Sequence, residues 1–445
     1  MSTRAIAGGI GALPVRVVAE IGFTLFVIYL LSGGSLPLGR AATGPGSSLD
    51  QANPRLQALL ALLYLVSLVL TLKRPRAWFQ ATTSDLGLLA LLGWTAASVM
   101  WSEAPEVSFV RAAALLGTSS FGVYFAVRYP LEDQLRLLGL GLGLVVLYNA
   151  FLALTQPGMI TSGFFSGGFD HKNTLGKMMT LATIVFLCIA GERRVRILAI
   201  IAAAVSFALL VSSGSATGLV VALTLVGMFP LLNLLRGDVR LVVILGIAGV
   251  LVLGIGALLV PQAVAVLAPA LGRDVTLTGR TELWPVLIEM IRRRPWLGYG
   301  YSAFWSGDDG GLGISWQPTQ AHNGLLEVAL SLGVVGLVLF VIVCVRGVTR
   351  SLLFLRQRGT AASFWPLMYF GFVFLYNITE ATTLGRNNIL WVLFVTALIT
   401  VSPAWLRAGG HLVRARTRQP RASHSHCDRL PGIRGSAAAH KDPGP

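Results

Sequence analysis

Residues 218–235 and 241–260 each run without a single charged side chain, and about twenty such residues are what a helix needs to cross a hydrocarbon core. Runs of this kind recur along the chain. They force an integral membrane fold, because only helices and closed barrels satisfy every backbone polar group inside lipid. The alternation over about ten residues that marks an outer-membrane strand is missing, which leaves an all-α integral membrane protein. Composition agrees: of 445 residues, 54% are hydrophobic and 12% charged. A soluble domain carries about 25% charged residues.

The formal net charge of +16 would by itself suit nucleic acid. Its placement argues for a membrane instead. Of 35 Lys and Arg residues, 24 fall in the N-terminus, the C-terminal tail and the alternate loops 73–76, 128–136, 193–196, 236–240 and 346–358. Clustering on one side is the positive-inside signature, and it puts both termini in the cytoplasm. Cys188, Cys344 and Cys427 have neither pairing nor metal-ligand spacing. No disulfide framework and no zinc site follow.

The apolar runs predict spans over 15–32, 55–72, 84–101, 107–127, 137–155, 173–191, 196–212, 217–235, 239–260, 322–345, 361–379 and 388–405. These twelve crossings make a polytopic domain over 1–405. The first span reads as a signal anchor rather than a cleaved signal, because its apolar run is long and no Ala-x-Ala site follows. Residues 406–445 read as a basic, disordered cytoplasmic tail against anionic lipid. Its His424-x-His426-Cys427 cluster reads as incidental rather than metal-binding. Between spans nine and ten, residues 261–321 form a large extracytoplasmic loop with five basic and five acidic side chains. Within it, Thr281 is expected to cap a helix over 282–294, with Pro285 in the first turn and Pro295 ending it. Leu283, Leu287, Ile288 and Ile291 would give that helix an apolar stripe along the outer membrane surface. Arg292–Arg294 would then sit near lipid phosphates, or merely anchor the helix. No internal repeat of the transporter kind is visible.

Polar groups at the outer helix ends form four clusters. Gly168-Phe169-Asp170-His171-Lys172-Asn173 opens the sixth span, with Lys177 a turn further in. Leu277-Thr278-Gly279-Arg280-Thr281-Glu282-Leu283-Trp284 lies in the large loop, and Ala321-His322-Asn323-Gly324 starts the tenth span. Residues 380–388, with Glu380, Arg386 and two asparagines, precede the last span. The topology puts all four on the outer side, where they are expected to converge on one site.

These residues resemble the bacterial O-antigen ligase and polymerase superfamily. His322-Asn323, nine residues, Gly333, two residues and Gly336 follow that family's His-Asn-x9-Gly-x-x-Gly pattern. Thr278-Gly279-Arg280 to Trp284, then Pro295-Trp296-Leu297-Gly298-Tyr299-Gly300, is similar to the loop that precedes it. Trp101-Ser102, Pro105, Ser108 and Arg111 match its third and fourth spans in type and spacing. The run His171-Lys172-Asn173-Thr174-Leu175-Gly176 resembles the exopolysaccharide polymerase branch in particular.

The resemblance implies a glycosyltransferase of the bacterial cytoplasmic membrane, facing outside. Its donor and acceptor are glycans on polyprenyl pyrophosphate, with membrane lipids around them. Chain-length regulator and flippase proteins are the expected neighbours, no cofactor is expected, and nucleic acid is not a partner. Transfer needs the acceptor hydroxyl deprotonated, which suits a histidine, and the leaving pyrophosphate stabilised, which suits arginine or lysine. His322 and Arg280 are the expected catalytic pair. Arg111 is expected as a second phosphate ligand, and His171, Lys172, Asn173, Asn323 and Arg386 as substrate contacts. No metal is expected, and Asp308-Asp309 reads as a solvated turn.

Each assignment has a plainer alternative. His322 can cap its helix, and Lys172 can mark the water interface. Glu327 reads as buried, hydrogen-bonded and structural, although acids within spans are suspect. Trp305 and Trp316 read as interfacial, with sugar stacking as the alternative. The rival functions are a ligase acting on lipid A-core, a transporter of the same lipid-linked sugar, and a non-catalytic assembly subunit.

Overall fold

The computed structural model describes residues 14–36, 39–40, 54–156, 160–161, 164–234, 280–306, 318–358 and 360–407. The expected ninth span, Thr278-Gly279, Asp308-Asp309, Trp316 and the tail beyond Arg407 lie outside the described residues.

The described chain is a helical bundle. Its helices are α1 (Val15–Leu31), α2 (Pro54–Leu72), α3 (Pro75–Thr82), α4 (Leu86–Ala97), α5 (Pro105–Arg128), α6 (Leu131–Thr155) and α7 (Lys172–Ile189). They continue with α8 (Arg196–Ser212), α9 (Ala216–Leu234), α10 (Arg280–Arg293), α11 (Gly324–Gln357), α12 (Trp365–Asn377), α13 (Ile389–Thr400) and α14 (Pro403–Arg407). Two short antiparallel hairpins, β1 (Ser35–Leu36) with β2 (Gly39–Arg40) and β3 (Ile160–Thr161) with β4 (Phe164–Phe165), lie in the connections. Five helices, α2, α5, α6, α7 and α11, are long and apolar enough to cross a membrane. The pair α3 and α4, bent by 84°, makes a sixth crossing if it is one span.

α13 is buried on every face and packs on α5, as expected of a helix apolar all round. α2 flanks α5, α8 and α9 flank α7, and α1 lies against α6. α1 is tied in by Glu20, which pairs with Arg128, and by Thr24, whose hydroxyl lies 3.1 Å from that of Tyr124.

Several expected boundaries move, each for a local reason. The segment 128–136 is not a loop. Pro130 turns the chain directly into α6, whose first turn carries Glu132 and Asp133, favourable at the positive end of a helix dipole. The basic stretch 346–358 is largely helix, because α11 continues to Gln357. Arg346 and Arg350, one turn apart, both reach Asp85, the residue whose side chain caps α4. α10 begins at Arg280, so Thr281 lies inside its first turn instead of capping it, and Pro285 falls within the helix. The apolar stripe of α10 is covered by protein: Leu283 and Leu287 are fully buried with Tyr299, Ala321 and Leu330, while Ile288 is exposed. Arg294 pairs with Glu103 at 2.8 Å.

α11 breaks at Gly333, whose φ of 67° and ψ of −171° are not helical. The break lets another backbone in. Val334 N–H donates to Pro295 O (2.8 Å), Tyr299 N–H to Leu330 O (2.8 Å) and Gly300 N–H to Ser331 O (3.0 Å). A Cβ on Gly333 would stand 2.1 Å from the carbonyl oxygen of Trp296, so only glycine fits. The Trp101-to-Arg111 motif grips the same loop: Trp101 Nε1–H donates to Leu297 O (2.9 Å) and Ser108 Oγ–H to Tyr301 O (3.0 Å).

Candidate active site

The residues that follow α12 turn back into the bundle as a buried loop over 378–388. Asn388 then caps α13 by accepting from Leu390 N–H at 2.9 Å. Glu380 sits in this loop with its side chain only 5% exposed. Its Oε1 accepts from Asn173 Nδ2 (3.2 Å), at the start of α7, and from Arg280 NH2 (3.3 Å), at the start of α10. Its Oε2 lies 3.8 Å from His322 Nδ1, just before α11. Burial opposes ionisation of this carboxyl. The His322 side chain, buried Lys177 and Arg280 outweigh that and hold it well below its ordinary value, at about 2. Glu380 is therefore an anion at any physiological pH, in a site otherwise rich in cations.

His322 has a backbone φ of 50°, in the left-handed region that non-glycine residues rarely adopt. The residue before it is held at both its backbone N–H and its carbonyl. Ala321 N–H donates to Glu327 Oε2 (2.8 Å), and Ala321 O accepts from Trp284 Nε1–H (3.1 Å). Trp305 Nε1–H donates to the other oxygen of Glu327 at 2.8 Å, which gives that indole and that buried acid a structural task. The capping of α11 falls to Asn323, whose Oδ1 accepts from Leu325 N–H (2.9 Å) and Leu326 N–H (3.1 Å). Its Nδ2 donates to Ile378 O at 3.2 Å. Gly324 gives close packing: a Cβ there would lie 1.8 Å from Asn377 Oδ1.

His171 caps α7, its Nδ1 accepting from Asn173 N–H at 3.2 Å. Partial burial pushes its pKa below the ordinary value; Glu380 opposes this, and Lys172, His322 and Lys177 add to it. Lys172 Nζ lies 3.6 Å over the ring of Phe164 in β4, a cation–π contact.

Arg111 and Arg386 meet elsewhere, at Ser302. Arg111 NH1 donates to Ser302 O (2.6 Å) and Oγ (3.3 Å), and Arg386 NH1 approaches the same Oγ at 3.5 Å. Ser302, Leu384 and Asn387 share the left-handed backbone seen at His322. Such strained residues cluster where surrounding structure over-determines them, and functional sites are a common setting.

The expected residues thus divide. His322, Arg280, Asn173 and His171 surround Glu380; Arg111 and Arg386 surround Ser302; Lys172 and Asn323 serve the ends of α7 and α11. Glu380 was visible only as the first residue of a polar cluster. An isolated acid has no spacing signature, and its role comes from three partners far away in sequence.

A family model described as O-antigen ligase matches residues 198–341. The matched stretch carries Arg280, His322, Asn323, Gly333 and Gly336. The exopolysaccharide production protein ExoQ of Rhizobium meliloti (strain 1021) is 24% identical over 278 residues. That match covers 59% of this chain and 64% of the relative, so the chain spans a little under two thirds of the relative's length. Together they support the O-antigen ligase and polymerase superfamily and a multi-pass membrane protein.

Proposed function

We propose that this chain is a membrane glycosyltransferase that joins polyprenyl-pyrophosphate-linked repeat units into exopolysaccharide or O-antigen. It works on the outer face of the bacterial cytoplasmic membrane, within a bundle of twelve crossings. The observation that carries this reading is the convergence of Arg280, His322 and Asn173 on one buried carboxylate, Glu380. The starts of three helices and a buried loop assemble a base, a fixed cation and a hydrogen-bonding frame.

In this reading His322 takes the proton of the acceptor hydroxyl. The freed oxygen bonds to the anomeric carbon of the donor glycan. The bond from that carbon to the pyrophosphate oxygen breaks, and its electron pair leaves with the pyrophosphate. Arg280 stabilises the charge that develops there, so no metal is required. The imidazolium then returns its proton to water, and Glu380 stabilises it meanwhile.

The ExoQ likeness and the His171–Gly176 run favour a polymerase. The description of the family model favours the second reading, a ligase that passes the glycan to lipid A-core. A transporter would place its broken helices and charges near the midplane, whereas these groups sit at helix ends and in loops. Lipid-linked intermediates in a deletion strain decide among the three. Single repeat units accumulating outside are expected. Full-length polymer left on carrier lipid would identify a ligase, and units trapped inside a flippase.

A further inference from the structure

A groove of about 990 Å³ runs between α2 and α5, lined from Pro54 to Leu68 on one wall and from Glu106 to Ser120 on the other. Fifteen residues of helix make that about 20 Å, some two thirds of a hydrocarbon core. Its walls are apolar, and Leu65, Phe109, Val110 and Leu116 leave its rim open to surrounding lipid. Its inner wall is fixed: Tyr64 O–H donates to Asn387 Oδ1 (2.9 Å), and Asn387 N–H donates to Thr118 Oγ1 (2.9 Å).

Two arginines, Arg111 and Arg386, also line this groove, 7% and 3% exposed. Glu106, at the start of α5, is the one acid among the described lining residues, which together carry a net positive charge. Arginines kept this deep beside an apolar channel suit an anionic head whose tail lies in lipid. They are not the Arg280 site. Arg280 meets Glu380, whereas Arg111 and Arg386 meet Ser302, and the buried loop over 378–388 carries both Glu380 and Arg386.

We propose that the groove between α2 and α5 is a second lipid-diphosphate site, which seats the acceptor's polyprenyl chain with its diphosphate at Arg111 and Arg386 while the donor's diphosphate lies at Arg280. This rests on the polymerase reading and sharpens it. A polymerase joins two glycans that are both lipid-linked, so it needs two such seats at once. A ligase acting on lipid A-core needs one polyprenyl seat. Glu380 and Arg386 stand in one buried loop, so the same segment of backbone would hold both diphosphate seats.

Native mass spectrometry of the detergent-purified full chain, titrated with undecaprenyl diphosphate, tests this. Two bound copies are expected at saturation. Ala61 and Ala113 are exposed alanines on opposite walls of the groove, so Ala61→Trp and Ala113→Trp block it from the lipid side without touching the core. Each is expected to leave one copy. Arg111→Gln and Arg386→Gln are expected to weaken the second copy about tenfold or more. A single copy on the unaltered chain would overturn the proposal, as would a second copy that survives both Trp variants. Displacement of the second copy by equimolar phosphatidylglycerol would also overturn it, since the groove would then hold ordinary phospholipid. The count needs no turnover. Two copies without sugar transfer would sink the glycosyltransferase reading and leave the site, while transfer with one copy would do the reverse.

Discussion

Trp284 Nε1 donates a 3.1 Å hydrogen bond to the carbonyl oxygen of Ala321, the residue immediately before His322. With Glu327 holding the N–H of the same residue, that bond fixes the direction from which the imidazole enters the site. Trp284→Phe keeps most of the buried ring but removes the donor, a loss of about 1 kcal/mol. Turnover is expected to fall about tenfold, equivalent to ~1.4 kcal/mol, with little change in donor KM. A wild-type kcat would show that Glu327 alone suffices.

His322→Gln and His322→Ala are expected to insert and fold normally, because Asn323 caps α11. Polymer formation should fall by about a hundred- to ten-thousand-fold, the usual cost of losing a general base. Lipid-linked repeat units would accumulate in cells. Full-length polymer at the normal rate from the Gln variant would remove the base assignment.

Arg280→Lys keeps the charge but loses the planar fork that meets two phosphate oxygens together. Most of the activity should go with it, and the unaltered enzyme should keep its activity in a chelator. Loss in chelator, restored by magnesium or manganese, would move the chemistry to a metal.

Glu380 gives a pH signature. Its carboxyl is held at about 2 against an ordinary 4.5, so its ionised form stabilises the fold fully above 4.5 and loses that contribution as pH falls toward 2. Glu380→Gln should therefore be less stable by an amount on the order of 3 kcal/mol at neutral pH. The gap should close between pH 4.5 and 2. Thermal melting in detergent at several pH values measures it, and a gap independent of pH would mean that the charge contributes nothing.

Sidedness is checked with fusions. A reporter after Gly310 should read outside and one after Arg358 cytoplasm. A cytoplasmic signal at Gly310 would place the site on the wrong face for sugar polymerisation.

Much of this was legible in the chain because uninterrupted apolar runs leave little choice of element. α2, α5 and α7 begin and end within two residues of the expected spans. Helix ends set by tertiary contacts were not legible: the last turns of α11 carry Arg346 and Arg350, which find Asp85, the cap of α4. The same holds in the site. Arg280, Asn173 and His322 stand in recognisable runs, whereas Asn323 as cap and Glu380 as the shared anion depend on what folds against them. Arg111 reads as a phosphate ligand by type and spacing, yet its NH1 donates to Ser302 O and Oγ.

The break at Gly333 makes the spacing of the His-Asn-x9-Gly motif a ruler. One end is the imidazole, and the other is the point where a neighbouring backbone is joined to α11. Between them stands a rigid rod, Gly324 to Leu332. Adding or deleting one residue would lengthen or shorten that rod by about 1.5 Å and turn His322 by about 100° around the helix axis, with no change to any chemical group. The interval between His322 and Gly333 is therefore as much a part of the site as the residues at its ends.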